Sequence, residues 1–418
     1  MTRIRSLGAH AADAGGTRFV MLIGAFALFS AGMTLFEINF PHYLRGQFRM
    51  GAGFRSFLEF PRESQGFAVV FYAVLLGAAT ERRLFALAAT VTAVGMTALA
   101  LLPARVIPDS IAGLAPALPL IGLVMVHSAG MHLAMVMEQS IIIESGGLAG
   151  AGRRLGWVAF WRTIAALAAA LAILAIGRLL DVGYRPYFIA GAALSLAAAV
   201  LITAATRGQP HARGTRRRLR FERRFNRYYL LCALFGVRKQ VFITFALWTL
   251  VTVYEQPLGT VALLWFLFSG AGLVTQPLIG AVIDRVGPRL TLTVDALVLL
   301  LVCLLYGFAE HLFVPGVAII VVGATYVLDH LLFFAGSARS VYAGSVAPGR
   351  SDLSPTLSMG VTIDHVFSMT VPLAGGVLWK TLGYESVFVA AAVIAGVTAV
   401  VAAGIRAPQP AAEALRHD

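Results

Sequence analysis

Residues 228–254 read YYLLCALFGVRKQVFITFALWTLVTVY, an apolar run long enough to cross a lipid bilayer. Arg238, Lys239 and Gln240 stand near its middle, about 15 Å from its inner end at a helical rise of roughly 1.5 Å per residue. A charge at that depth costs roughly 3 kcal/mol on insertion scales, and charged residues placed there usually face a water-filled cavity or a partner. The stretch therefore predicts a membrane fold with a functional site inside it.

The composition of the whole chain agrees with a membrane protein. Of 418 residues, 59% are hydrophobic and 13% charged, and the mean hydropathy is +0.81. These values exclude an ordinary soluble protein. The formal net charge is +13, but the arginines lie in short gaps between apolar runs, which is the positive-inside pattern rather than a nucleic-acid-binding surface. Cys232 and Cys303 both lie in apolar runs, so we expect no disulfide, metal or cofactor.

Apolar runs long enough to span the hydrocarbon core recur along the chain. The second run is interrupted by Glu59, Arg62 and Glu63; alternatively, a shorter helix begins near Gly66 and these residues lie in a solvated outer loop. The pattern predicts an all-α polytopic membrane protein of twelve transmembrane helices. The runs fall near 18–40, 54–79, 84–103, 114–138, 156–179, 184–206, 228–254, 259–283, 289–309, 313–337, 355–379 and 384–406.

The most basic segment, residues 207–227, separates the sixth and seventh runs. The positive-inside rule places it in the cytoplasm, and with twelve spans both termini lie there too. The predicted domains are an N-terminal six-helix bundle (1–206), a basic linker (207–227) and a C-terminal six-helix bundle (228–418). Alternatively the basic segment binds anionic lipid or a partner. We expect an uncleaved N-terminus and a multi-pass protein of a cell inner membrane.

The two halves of the chain resemble each other in sequence. Residues 17–36 align without a gap with residues 226–245, matching Arg18 to Arg227 and Phe26 to Phe235. Two six-span repeats in the same orientation are the arrangement of a transporter that rocks two bundles about a site near the middle of the membrane.

The chain resembles the Major Facilitator Superfamily of secondary transporters. The resemblance rests on the twelve spans, the basic central loop and a Gly-x-x-x-Asp-Arg-x-Gly motif between the second and third spans of each half. In the N-terminal half the motif is degraded, with Glu in place of Asp and no second Gly. The resemblance implies a carrier rather than an enzyme, with a cytoplasmic gate formed by the motif; alternatively these are only short, positively charged inside loops. The motif residues are Gly77, Glu81, Arg82, Gly280, Asp284, Arg285 and Gly287.

Two further charged pairs lie at the depth of Arg238. Asp329 and His330 are in the tenth span, and Asp364 and His365 in the eleventh. The sequence therefore predicts carboxylates, imidazoles and cations in one layer, with one member of each pair facing the cavity. The family resemblance implies that the seventh and tenth spans line that cavity. Alternatively, the layer is a salt-bridge network that only fixes helix packing.

The N-terminal half carries a second set of charges. Glu59 faces Arg62 and Glu63 at helical spacings of three and four, and two carboxylates that share one arginine cannot easily both stay ionised. Arg162, early in the fifth span, is the expected cation of this half.

We therefore expect a proton-coupled carrier of a small organic anion, working as a monomer in the bilayer without nucleic acid. No GxxxxGK motif is present, which disfavours ATP-driven transport. The predicted substrate-binding residues are Arg238, Lys239, Gln240, Phe242, Tyr326, Arg62 and Arg162. The predicted proton-coupling residues are Asp329, Asp364, Glu63, Glu59, His330 and His365. The alternatives are efflux of lipophilic or cationic compounds, and a sensor or assembly factor that keeps the fold without transport.

Overall fold

The first half of the chain forms six long helices. The computed structural model describes residues 14–75, 79–144, 151–180, 182–205, 221–347 and 350–405, and within these ranges it contains helices and no β-strand. The helices are α1 (Ala14–Phe48), α2 (Ala52–Leu75), α3 (Glu81–Leu101), α4 (Leu114–Glu144), α5 (Ala151–Leu179) and α6 (Tyr184–Ala205).

The second half contains less regular helices. The α7 span begins as Asn226–Gln240, passes through a π-helical turn at Val241–Ala246 and ends as Leu247–Thr252. One helical run, Leu258–Leu312, is divided at Gly287 into α8 (258–286) and α9 (288–312). The α10 span consists of Pro315–Leu332, a 3₁₀ segment at Phe333–Ser337 and Ala338–Val346. The last two are α11 (Arg350–Leu382) and α12 (Tyr384–Ala403).

The described residues thus hold twelve long helices, at the positions of the twelve predicted runs, and the all-α prediction is confirmed. Within the described ranges, ten segments are long and apolar enough to cross a membrane by length and composition. This number is lower than the twelve helices because Leu258–Leu312, which contains α8 and α9, is one segment and because α2 is not among the ten. α2 carries too many charges to qualify.

Helix α2 settles the ambiguity of the second run. It is helical from Ala52, and Glu59, Arg62 and Glu63 are all buried within it. The alternative of a solvated outer loop with a helix starting near Gly66 is therefore wrong. These charges are tolerated because they lie inside the protein, where partners described below compensate them.

Gly287 explains the second glycine of the repeated motif. Its φ is 81°, in the left-handed region that favours glycine, and it separates α8 from α9. Pro288 follows as the first residue of α9, where its fixed φ suits a helix start and its missing N–H is not needed. The backbone conformation therefore requires a glycine at this position of the motif, independently of any role of the charged motif residues.

Two compact units are distinguished by their internal contacts. The first comprises residues 1–51, 61–215 and 256–270. Its core packs α1, α3, α4 and α6 around Phe26 and Phe85, whose ring centroids lie 5.1 Å apart. A Cβ atom on Gly32 would lie 2.6 Å from the carbonyl oxygen of Gly191, so α1 and α6 cross where neither has a side chain.

The second unit comprises residues 52–60, 216–255 and 271–418. Its interior includes an aromatic cluster in which Phe242 packs against Tyr306 and Phe388. The Tyr306 hydroxyl donates to the carbonyl oxygen of Ala246 at 2.6 Å, within the π-helical turn of α7. The domain boundaries predicted from sequence stay a prediction, and most of the linker 207–227 lies outside the described residues.

Candidate functional site

Lys239 forms an ion pair with Asp364 where α7 and α11 approach closely. A Cβ atom on Gly236 would lie 2.6 Å from the backbone oxygen of Asp364, so glycine permits the approach. One turn further along α7, the Lys239 Nζ lies 3.1 Å from Asp364 Oδ2, and the two side chains are 13% and 17% exposed. The Ser368 hydroxyl donates to the other carboxylate oxygen at 3.4 Å. The pair is therefore supported by a further hydrogen bond, and both of its side chains remain partly exposed.

Arg238 points to different partners, because adjacent helical residues point about 100° apart. Its Nη1 donates to both oxygens of Asp295 on α9, at 3.2 and 2.9 Å. Its Nε and Nη2 donate to Asp329 Oδ1 on α10, at 3.4 and 3.3 Å. The three side chains are only 5%, 9% and 2% exposed. The predicted layer is therefore divided into a buried arginine cluster and a more accessible lysine pair.

Asp295 is a partner of Arg238 that the sequence did not predict. It is the single acidic residue of the predicted run 289–309. A lone carboxylate in a transmembrane run is itself a signal of function, since it is costly there without a partner. Arg339 was missed as well: its guanidinium lies 3.5 Å from the ring centroid of Phe235, and its Nε donates to the Gly336 carbonyl at 3.1 Å.

Gln240, the third residue of the polar triplet, binds a buried carboxylate. Its Nε2 donates to Glu59 Oε2 at 3.0 Å and to the Thr244 hydroxyl oxygen at 2.7 Å. Glu59 also forms an ion pair with Arg55, and both Glu59 and Gln240 are fully buried. The π-helical turn begins directly after Gln240, and such turns are frequent at functional sites.

In the first unit, Arg62 binds Glu37. The Nη2 atom lies 2.7 Å from Glu37 Oε1, and the guanidinium lies 5.8 Å from the ring centroid of Phe40. Glu59 and Glu63 were expected to be the carboxylates beside Arg62. The structure adds Glu37, from α1, which local helical spacing cannot predict.

His132 lies beside the predicted proton-coupling residue Glu63, and its neighbours fix its tautomer. The Ser128 hydroxyl donates to the Arg62 carbonyl at 2.6 Å. His132 Nδ1 lies 2.9 Å from the Ser128 carbonyl oxygen, which can only accept, so Nδ1 carries a hydrogen. In the neutral ring Nε2 then has the lone pair. A ring nitrogen of His132 and a carboxylate oxygen of Glu63 lie within 4.8 Å of each other.

Arg162 pairs with Glu138 on α4. Its Nη1 lies 2.8 Å from Glu138 Oε1, and its side chain is 42% exposed. The Ser30 hydroxyl donates to the Arg162 carbonyl at 3.3 Å, which joins α5 to α1. The predicted cation of the N-terminal half is thus present and partly accessible, with a carboxylate already bound to it.

Three solved structures are similar to this chain over nearly its whole length. A variant of the nucleoside transporter NupG aligns with a TM-score of 0.71 at 12% identity, covering 93% of this chain and 100% of that one. A bacterial homologue of the human lysosomal transporter Spinster, inward-facing and unoccupied, gives 0.71 at 12%, over 94% and 96%. The inward-open xylose transporter XylE from E. coli gives 0.68 at 13%, over 94% and 97%. The chain has the Major Facilitator Superfamily fold.

The family resemblance drawn from the sequence is therefore confirmed at the level of fold, with two pseudo-symmetric six-helix bundles in a multi-pass membrane protein. No protein-family model and no curated protein matches the sequence. At 12% to 13% identity, the likeness to the transporters above establishes the fold alone.

The motif residues that the structure describes lie near helix ends. Glu81 is the first residue of α3, where its charge favours the positive end of the helix dipole, and the preceding Thr80 caps the helix by accepting from the Arg83 N–H at 3.4 Å. Arg82, next to it, is partly exposed. Asp284 and Arg285 are exposed near the end of α8, one turn after Gly280, while Gly77 lies outside the described residues. A gate formed by these residues stays a prediction.

The remaining predicted residues lie mostly inside the second unit. Phe242 and Tyr326 are almost completely buried. His330 Nδ1 lies 2.9 Å from the Tyr326 carbonyl oxygen, and the two rings lie 4.4 Å apart. His365 is partly exposed on α11, next to Asp364. Contact of these side chains with a substrate or a coupled proton stays a prediction.

Proposed function

We propose that this protein is a secondary transporter of an inner membrane that moves a small organic anion, coupled to protons, by alternating access. The fold supports transport, since solved structures that share it include transporters of nucleosides and xylose and a Spinster homologue. The ion pair of Lys239 and Asp364 is the observation that carries the choice of substrate and coupling ion.

Within the second unit, Lys239 is better placed than Arg238 to exchange its partner. It is bound to one carboxylate and is partly exposed, whereas Arg238 is bound to two carboxylates and is buried. An incoming anion that displaces Asp364 breaks a single ion pair. Displacing both partners of Arg238 requires two. Lys239 therefore serves as the principal anion contact of the second unit, and Arg238 as a fixed cation next to it in sequence.

Exchange at Lys239 also provides a means of coupling. When an anion occupies Lys239, Asp364 is left without its cation in a partly buried place, where a carboxylate is most readily neutralised by a proton. Anion binding and proton uptake then occur at adjacent side chains. Glu63 beside His132 is a second place in this protein where a proton moves between a carboxylate and an imidazole.

Transport by the purified protein in liposomes tests the proposal. Uptake of a panel of labelled small carboxylates is measured with an inward and with an outward pH gradient. We expect Lys239→Ala to abolish uptake and Asp364→Asn to retain exchange while losing its dependence on the pH gradient. Lys380→Ala, which removes the only other lysine in the sequence, is the matched control and leaves uptake unchanged. Wild-type uptake by Lys239→Ala would refute the role of Lys239 in anion binding.

A neutral, hydroxyl-rich solute is the second candidate. The cations Arg62, Arg162, Arg238 and Lys239 each have a carboxylate partner in the structure, so each is already neutralised within its own unit. Polar groups that are already neutralised suit an uncharged molecule that bonds to several of them at once. The same liposomes loaded with sugars or nucleosides decide between the two: a neutral substrate is transported by the Lys239→Ala/Asp364→Ala variant, and an anion is not.

A further inference from the structure

We propose that Glu310, His311 and Glu385 form a binding site for a divalent transition-metal ion of the zinc type, in the second unit where α9 ends and α12 begins. The site lies at the end of α9 that is opposite to the Gly287 turn. None of the three residues has a place in the function proposed above, so the site does not depend on that function.

The three side chains present ligand atoms of the kinds that zinc takes in proteins. One atom of each, an imidazole nitrogen and two carboxylate oxygens, lies within 4.8 Å of both others. His311 Nε2 lies 3.2 Å from Glu385 Oε1 and 3.7 Å from Glu310 Oε1. Ligand atoms at about 2.1 Å from a tetrahedral zinc ion lie roughly 3.4 Å apart. The nitrogen and its two neighbouring oxygens therefore already have nearly the spacing that one ion requires.

The charge of the group also favours a cation. Two carboxylates that lie this close repel each other, and one imidazole supplies at most a single positive charge. Among the described residues, neither Glu310 nor Glu385 forms an ion pair with an arginine or a lysine. The side chains of Glu310, His311 and Glu385 are 40%, 55% and 25% exposed, so an ion can reach them from water. A dication compensates both carboxylates at once.

The turn between α11 and α12 positions Glu385. Gly383 has a φ of 88°, in the left-handed region that favours glycine, and a Cβ atom there would lie 2.5 Å from Glu385 Oε2. The Ser386 hydroxyl donates to the Gly383 carbonyl at 2.6 Å and so holds the turn. Glycine thus leaves the room in which the carboxylate folds back over the turn, within reach of His311 on α9.

The hydroxyl of Tyr384, the first residue of α12, is directed at the same group. Tyr384 is only 7% exposed, and among the described residues its hydroxyl makes no hydrogen bond of standard geometry. The side chain with which it interacts most strongly is Glu310. A buried hydroxyl without a well-formed bond calls for an explanation. Donation to Glu310, once a metal ion fixes that carboxylate, supplies the outer hydrogen bond that metal ligands usually have.

A hydrogen bond between His311 and Glu385 alone is the other explanation of this geometry. It accounts for the distance of 3.2 Å between Nε2 and Oε1. It does not account for the second carboxylate at ligand distance, or for the buried hydroxyl directed at that carboxylate. The metal site explains all three observations.

Zinc binding to the whole detergent-solubilised protein tests the site without a substrate. Affinity is measured by competition with a chelating dye, and the midpoint of thermal unfolding is recorded with and without zinc. We expect zinc to bind and to raise the midpoint, because an ion that binds the folded protein stabilises it. His311→Gln and Glu385→Gln should each lower the affinity by about tenfold or more, because each removes one of three protein ligands. Magnesium, which takes oxygen ligands, should give no such shift.

Asp284→Asn is the matched control, since it removes an exposed carboxylate near the end of α8 and is expected to keep the wild-type zinc affinity. Equal affinity in wild type, His311→Gln and Glu385→Gln would mean that zinc binds elsewhere and would overturn the site, as would a wild-type protein that does not bind zinc. If the variants do not fold, Co²⁺ bound to the wild type decides: the absence of a saturable visible absorption band of four-coordinate cobalt overturns the proposal. Transport assays remain independent, so a protein that binds zinc but carries no solute would refute the carrier and not the site.

Discussion

Gly236 and Asp364 lie so close that a Cβ atom on the glycine would lie 2.6 Å from the aspartate's backbone oxygen and 2.8 Å from its Oδ1. The contact joins α7 to α11 one turn before Lys239 reaches the same aspartate. The close approach of the two helices therefore depends on glycine at position 236, and so does the geometry of the ion pair.

Gly236→Ala is expected to push α7 and α11 apart. Overpacking of this kind costs about 1–3 kcal/mol, and we expect a matching fall in the midpoint of thermal unfolding in detergent. Gly344→Ala is the control, since nothing lies within 4 Å of a Cβ atom there. Equal unfolding midpoints for the two variants would show that the close approach is not tight in solution.

Removing Arg238 is expected to destabilise the protein more than removing its neighbour. Arg238→Met leaves two buried carboxylates without their cation, and breaking a buried ion pair from one side costs about 3–5 kcal/mol. Lys239→Met leaves a single carboxylate without its cation, and because that carboxylate is 17% exposed we expect a smaller loss than for Arg238→Met. The measurement is the unfolding midpoint of each variant.

Replacing the whole cluster provides the converse test. Arg238→Met/Asp295→Leu/Asp329→Leu removes the charges together, and apolar replacement of a complete buried cluster is often neutral or stabilising. We expect the triple variant to unfold at a higher temperature than Arg238→Met alone. A triple variant no more stable than the single one would mean that the carboxylates have other essential partners.

Gly287→Ala tests the backbone role of the motif. At a φ of 81° any side chain is strained, and such a residue costs about 1–3 kcal/mol. Gly280→Ala, in the same motif but in open space, is the control and is expected to keep wild-type stability. If both substitutions are harmless, the turn between α8 and α9 has another conformation in the membrane.

The sequence predicts the helices well because the signal for them is local. Each apolar run must satisfy its backbone hydrogen bonds within itself, so length and hydropathy suffice to place it. Helix α2 is the exception: its charged residues obscure the run, and what compensates them, such as Glu37 for Arg62, comes from another helix.

Counting residues along a helix predicts the depth of a side chain in the membrane, but it does not predict which neighbouring helix that side chain faces. Counting places Arg238, Asp329 and Asp364 in one layer and leaves open which of them pair. One partner of Arg238 is Asp295, 57 residues away in the sequence. This pairing results from the packing of three helices around one cation, which the sequence of any one helix does not specify. Likewise, the approach of α7 to α11 depends on Gly236, whose contacts are invisible in a single sequence.

The π-helical turn at Val241–Ala246 changes the direction in which the side chains of α7 point after Gln240. Hydrogen bonds of the i to i+5 type take one more residue into the turn than an α-helix does. One residue corresponds to about 100° of rotation, so side chains after Ala246 are out of helical phase with those before Val241. A helical wheel drawn through residues 228–254 therefore assigns Trp248 to the wrong face. The gapless match of 226–245 to 17–36 ends inside this turn, so it cannot be extended beyond Ala246 as a match of helix faces.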